Sequence, residues 1–212
     1  MHHIRVLLFF ALLAPLLAAG AGCKLAAAPF LMWGREPTKD IPAEWPHLHD
    51  KKVCLLVWAD ADTIVEHPWV QLETAEHIAK ALKAHVTGIT FVPPRKVYDF
   101  QQREPDWESA DPATLGDRFG ADRVMMIELT QFTTREPESP HLYRGRAAAN
   151  IKIYNAEYPN SAPVYTTSVE AVYPPDSPGK WGVSEREIRA STIEAFAEQV
   201  ATRFYQRRVK VR

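Results

Sequence analysis

Two places in this 212-residue chain hold residue types that can do chemistry. The first is Asp60-Ala61-Asp62, directly after the apolar run Lys52 to Ala59 (KVCLLVWA). Two carboxylates at the carboxyl end of a buried strand are placed as a nucleophile and an acid/base would be in metal-assisted phosphoryl transfer. The second is Cys23, which follows the small residues Gly20-Ala21-Gly22 at the end of an apolar stretch. Other candidates are weaker. His47 and His49 stand two apart, and Glu73 and His77 have the helical i,i+4 spacing that more often makes a surface pair than a metal site. Cys54 sits inside the apolar run and is expected to be a small core residue. Gly116-Asp117 and Asp122 offer only a loose acidic group. No G-x-S-x-G, G-x-G-x-x-G or P-loop pattern occurs. No cofactor, metal or catalytic residue is therefore expected.

The segment before Cys23 reads as an export signal. Met1 to Gly22 carries Arg5 as its one Lys or Arg, then Val, Leu, Phe and Ala broken by Pro15, then small residues. Gly20-Ala21-Gly22-Cys23 resembles the lipobox of bacterial lipoproteins, in which the cysteine is lipidated and becomes the first mature residue. The departure is Gly20, where that family usually has an aliphatic. Cleavage after Ala19-Gly20-Ala21 is a second reading, and it leaves an odd thiol in an exported chain. An uncleaved anchor is a third, because Leu25 to Trp33 resumes the apolar character after Lys24. The expected division is a signal peptide at 1–22, a lipidated start with a Pro-rich tether at 23–50, and one domain at 51–212. Without the leader, 190 residues remain with 24 basic and 26 acidic side chains. A slight acidic excess argues against a nucleic-acid partner, and a hydrophobic content of 46% argues against disorder.

Twelve prolines between Pro68 and Pro178 fall between or at the ends of the proposed elements, as they should. Lys52 to Ala59 predicts a strand buried on both faces. Trp69 to Ala84 predicts an amphipathic helix through Leu72, Ala75, Ile78, Ala79 and Leu82. Thr87 to Val92 predicts a strand, and Pro94–Gln102 and Pro112–Phe119 predict short helices. Arg123–Thr133, Tyr143–Tyr154 and Val164–Tyr173 predict three successive antiparallel strands. In the middle one Ala147, Ala149, Ile151 and Ile153 share a face. Ser184 to Arg207 predicts a long helix, with a capping box between Ser184 and Glu187. The basic end at Arg203, Arg207, Arg208, Lys210 and Arg212 could meet anionic headgroups or peptidoglycan-linked anions, and is expected to be a solvated terminus. The fold class is α/β: a β-α-β unit followed by an antiparallel meander, in one mixed sheet covered by helices.

This pattern resembles a group of bacterial envelope lipoprotein domains. The group includes the amino-terminal domain of TolB, the lipoprotein activators of penicillin-binding proteins, and the curli-secretion lipoproteins. The residues that carry the likeness are Lys52 to Trp58, Gly120-Ala121-Asp122 leading into Arg123–Leu129, and Ile151-Lys152-Ile153-Tyr154 turning through Asn155–Pro163 into Val164-Tyr165. The departure is the Pro-bearing turn at Glu157-Tyr158-Pro159-Asn160. The resemblance implies a non-enzymatic module, held to a membrane through a lipid on Cys23, that binds another envelope protein on the extracytoplasmic side. Its oligomeric state is not read from the sequence. Tyr and Trp favour interfaces, so Trp107 and Trp181, which fall in loops, are expected with Tyr158 to contact the partner. The competing reading is a Mg²⁺-dependent phosphohydrolase. Asp60 and Asp62 with Val53–Trp58 before them and Thr63-Ile64-Val65 after look like the nucleophile loop of haloacid-dehalogenase-type phosphatases.

Overall fold

A computed structural model describes residues 38–136 and 139–211. Cys23 and the leader lie outside the described residues. The chain divides into two compact units. The smaller one contains strand β1 (Thr38–Ile41) and the chain from Arg208 onward; β1 pairs there with β7 (Arg207–Lys210). The Arg208 guanidinium donates to Asp40 at 2.8 Å. The basic carboxyl end is thus a strand, where a solvated terminus was expected.

The larger unit, Pro42–Arg207, holds a five-stranded mixed sheet in the order β3-β2-β4-β5-β6. These strands are β2 (Lys52–Trp58), β3 (Thr90–Phe91), β4 (Arg123–Glu136), β5 (Ser139–Asn155) and β6 (Tyr165–Tyr173). Its helices are α1 (Ala61–Glu66), α2 (Val70–His85), α3 (Pro94–Arg103), α4 (Pro112–Arg118) and α5 (Glu185–Ala201), with a 3₁₀ turn at Pro105–Ser109. β2 runs parallel to β3 and β4, and β5 is antiparallel to both of its neighbours, β4 and β6. The α/β class and the mixed sheet are as the periodicity predicts. The tether expectation is corrected within this unit: Leu48 is fully buried, and Trp45 stacks on Tyr165 with ring centroids 5.7 Å apart.

β2 is apolar from Val53 to Trp58, and both of its faces are covered. Val53, Leu55 and Val57 join the core under α2 and α5. Cys54 and Leu56 point the other way, into a smaller core under α3, the 3₁₀ turn and α4. Burial pushes the Cys54 thiol up to about 12, so it stays protonated and inert. On that first face α2 lies on β2, and α5 covers β4, β5 and β6 through Ile127, Ile151, Val169, Ile193 and Phe196. α5 approaches β5 closely at Gly145, where any Cβ would meet the Thr192 hydroxyl at 1.7 Å. Beyond β4 the second cover reaches only the end of β5, at Tyr154. Thr166, Ser168 and Glu170 of β6 are exposed on that side, and Asn150 and Lys152 of β5 are half-buried.

Strand β3 is much shorter than Thr87 to Val92. Its amides at Thr90 and Val92 donate to Lys51 and Val53. The next rung would need an N–H at residue 94, and Pro94 has none. Further along β2 the Val57 carbonyl instead accepts from the side-chain amides of Gln71 and Gln101, both buried and both at 2.9 Å. A buried carbonyl left without a donor would cost about 1–3 kcal/mol, which explains two amides inside an apolar layer.

β4 carries a bulge. Leu129 faces Ala149 and Gln131 faces Ala148, so Thr130 is the extra residue. Met125, Ile127 and Leu129 are buried before it, and Phe132 and Thr134 after it. The inward set passes from odd to even positions, as one inserted residue requires.

Candidate functional site

The residues expected to touch a partner are separated by the fold. Trp107 is 6% exposed and lies in the smaller core with Phe100, Leu115 and Val124. This corrects the expectation: the five-residue 3₁₀ turn, which has no hydrophobic period to reveal it, turns the indole inward. Trp181 is 70% exposed and Tyr158 61%. Trp181 follows Lys180, whose backbone forms a bridge to Tyr143 with hydrogen bonds of 2.9 and 3.1 Å. Tyr158 sits in the β5–β6 turn, where Asn155 Oδ1 accepts from Arg123 at 2.8 Å and from the Glu157 amide at 3.2 Å. Val164, half exposed, shares that turn.

These two aromatics lie at opposite ends of one hairpin. β5 and β6 pair from Ile153–Tyr165 to Gly145–Tyr173. At about 3.4 Å per residue that ladder is roughly 27 Å long. The other tyrosines of the hairpin serve the fold. Tyr165 donates its hydroxyl to Glu44 at 2.7 Å, Tyr173 accepts from Lys180 at 3.1 Å, and Tyr154 packs against the smaller core. A groove of about 300 Å³ between Trp58, Glu108, Met126 and Glu128 opens beside them, with Glu128 held by Lys152 at 2.7 Å.

Asp60 is the N-cap of α1. Its Oδ1 accepts from the Thr63 amide at 2.9 Å and its Oδ2 from the Thr63 hydroxyl at 2.8 Å. These bonds hold its carboxyl below the usual range. Asp62 lies exposed in the first turn of the same helix. A group with a lowered folded pKa stabilises above its unfolded value and loses that contribution as pH falls through the folded one. Asp60→Ala should therefore lower the melting temperature at pH 7, while Asp60→Asn, an equally good cap, should keep it. The gap between wild type and Asp60→Ala should shrink below about pH 4, the ordinary aspartate range. Melting curves from pH 7 to 3 check this, and an unchanged Asp60→Ala curve would contradict it. Phosphatase chemistry at Asp60 would instead be abolished by Asp60→Asn. Asp122, the other acid flagged beside a strand, accepts from the Lys52 amide at 2.7 Å and ties the starts of β2 and β4 together. Glu73 pairs with Arg189 at 3.0 Å, across to α5, where the helical spacing suggested His77.

A cluster that sequence spacing does not reveal forms where α1 ends. Glu66, His67 and Glu185 each present one ligand atom within 4.8 Å of the others. His67 caps α1 with its amide on the Thr63 carbonyl at 2.8 Å. Its side chain is 2% exposed and lies edge-on to Phe132, with ring centroids 5.0 Å apart. Burial holds the imidazole below its ordinary pKa, against the pull of Glu66 and Glu185. Nε2 has no hydrogen-bond partner. Glu185 begins α5, where its Oε2 accepts from Arg135 at 2.8 Å and its Oε1 from the Thr134 hydroxyl at 3.2 Å. The bulge in β4 turns Phe132 and Thr134 toward this cluster. Glu66 and His67 are adjacent in the chain, but Glu185 is remote, and only the packing of α5 over the sheet brings it there.

Among the described residues, no helix is long and apolar enough to cross a membrane. No protein-family model matches the chain, and no curated protein matches it. Solved structures are similar to it. The PelC dodecamer from Paraburkholderia phytofirmans has a TM-score of 0.46 and 10% identity, over 81% of this chain and all of that one. The lipoprotein GNA1162 from Neisseria meningitidis has a TM-score of 0.43 and 16% identity, over 71% and 97%. A minor lipoprotein from Acinetobacter baumannii has a TM-score of 0.33 and 15% identity, over 73% and 90%. Two of these three are named as lipoproteins. At TM-scores below 0.5 the likenesses carry no inference about what the chain does.

Proposed function

We propose that this chain is a membrane-anchored envelope lipoprotein whose folded domain binds another envelope protein, without catalysis, during envelope assembly or transport. The anchoring half of the reading rests on the apolar leader and on Cys23 behind its small residues. The binding half rests on one observation: β6, nine residues long, is the border of the sheet, and exposed aromatics stand at both of its ends. An unpaired strand edge is a template for adding a strand from a partner. Tyr158 and Trp181 would then anchor the two ends of the added segment, since buried aromatics supply much of the energy at interfaces. The resemblance of Lys52–Arg207 to the TolB, penicillin-binding-protein-activator and curli-secretion domains agrees with this role.

One experiment tests both halves. Wild type, Cys23→Ser and a Tyr158→Ala/Trp181→Ala variant are expressed in a bacterial host, and the envelope is fractionated. Cys23→Ser should leave the membrane fraction. The double variant should stay there, melt within about 0.5 kcal/mol of wild type per exposed site, and lose the protein that co-purifies from detergent-solubilised envelopes. A Cys23→Ser chain that remains in the membrane supports the uncleaved anchor instead. Undiminished co-purification by the double variant would remove the β6 edge as the binding site.

A further inference from the structure

We propose that Glu66, His67 and Glu185 form a binding site for a divalent transition-metal ion of the zinc type. His67 is the observation that singles this cluster out from an ordinary group of surface acids. Its side chain is 2% exposed, yet Nε2 meets no hydrogen-bond partner. The nearest acid, Glu66 Oε1, stands 3.9 Å away. That is too far for a hydrogen bond and wide enough for an ion between the two atoms. A buried polar atom without a partner costs about 1–3 kcal/mol, and a metal ion would satisfy it.

The donor set suits such an ion. A neutral imidazole nitrogen with carboxylate oxygens fits Zn²⁺, and bonds of about 2.0–2.2 Å bring tetrahedral ligands to about 3.3–3.6 Å from one another. The three ligand atoms already lie within 4.8 Å. The remaining adjustment is shared by Glu66, whose side chain is 66% exposed, and Glu185, whose side chain is 37% exposed. Glu185 has an oxygen to offer. Oε2 is held by Arg135 at 2.8 Å, while Oε1 has only the longer 3.2 Å bond from Thr134. Oε1 would ligate, and Arg135 would remain as the outer partner that orients the carboxylate.

The neighbouring charges allow a dication. Arg135 is matched by Glu185, and Arg189 by Glu73 at 3.0 Å. Two carboxylates therefore face the ion with one guanidinium behind them. Three protein ligands leave a fourth position for water.

The test uses the full chain, purified in detergent without a histidine tag and stripped with a chelator. Zn²⁺ is titrated by calorimetry, and Co²⁺ is followed by its visible d–d bands. Wild type should bind one more ion per chain than Glu185→Gln does, with tetrahedral Co²⁺ bands. His67→Gln should lose that ion, and Glu66→Gln should weaken it by at least about tenfold. Zn²⁺ should raise the melting temperature of wild type but not of Glu185→Gln. Glu66 is exposed, so Glu66→Gln reports on binding even if His67→Gln folds poorly. Equal stoichiometry and affinity in wild type, Glu66→Gln and Glu185→Gln would overturn the proposal, because any uptake would then belong to histidines elsewhere such as His47 and His49. No Zn²⁺ or Co²⁺ uptake by wild type would overturn it too. Neither result bears on the partner-binding reading, which uses other residues.

Discussion

Trp107→Ala should destabilise the protein by about 3–5 kcal/mol, the usual range for removing a buried aromatic from a core. The indole is 6% exposed, and its neighbours Phe100, Leu115 and Val124 come from α3, α4 and β4. α3 and α4 are short and β4 is fixed in the centre of the sheet, so the smaller core has little means of closing over the cavity. The effect should be read as a lower urea midpoint with an unchanged slope. Partner capture should fall only as far as the folded fraction falls. Trp181→Ala should behave in the opposite way, with stability kept and capture reduced. A Trp107→Ala chain that unfolds at the wild-type midpoint but loses its partner would restore the surface role that its place between proline-flanked segments suggested.

Phe196→Ala should cost a similar amount, about 3–5 kcal/mol. Phe196 is 1% exposed at the centre of α5, in one cluster with Ile151, Val169, Ile78 and Leu82. Its ring joins α5 to the sheet and to α2. The difference from Trp107→Ala should appear in native-state hydrogen exchange. Phe196→Ala should release protection in β5, β6 and α5, while Trp107→Ala should release it first in α3 and α4, because local openings follow the packing unit that is weakened. Equal loss of protection across both layers would mean that the two cores unfold as one.

Much of the fold follows from local pattern. The Val53–Val57 run has room for no polar residue because both faces of β2 are covered, and the alternation in Ala147–Ile153 places one face of β5 against α5. The antiparallel order of β4, β5 and β6 follows from successive alternating runs with no helix between them. The helix predicted from Ser184 to Arg207 ends at Ala201 instead, and Arg207–Lys210 pair with Thr38–Ile41. That pairing joins segments far apart in the chain, and a four-residue strand has no period long enough to announce it. Trp45 and Leu48 looked like part of a tether because a Pro-rich stretch without periodicity gives no sign that the core has a place for it.

The candidate sites divide in the same way. The export-signal reading of Cys23 and the apolar segment before it uses adjacent residues only, because signal recognition reads a linear peptide. Asp60 and Asp62 were legible as a carboxylate pair, but two hydrogen bonds from Thr63 give Asp60 a capping role, which depends on where α1 begins. Glu66, His67 and Glu185 were not legible at all. The sequence by itself determined the α/β class, the buried strand β2 and the order of the meander, since each depends on residues near one another in the chain. Only the tertiary structure decided which aromatics face solvent, where the sheet ends and which acids meet His67. Those outcomes depend on how β4 bulges at Thr130 against β5, on how far β3 pairs with β2 and on the seat of α5 on the sheet, where segments remote in sequence meet.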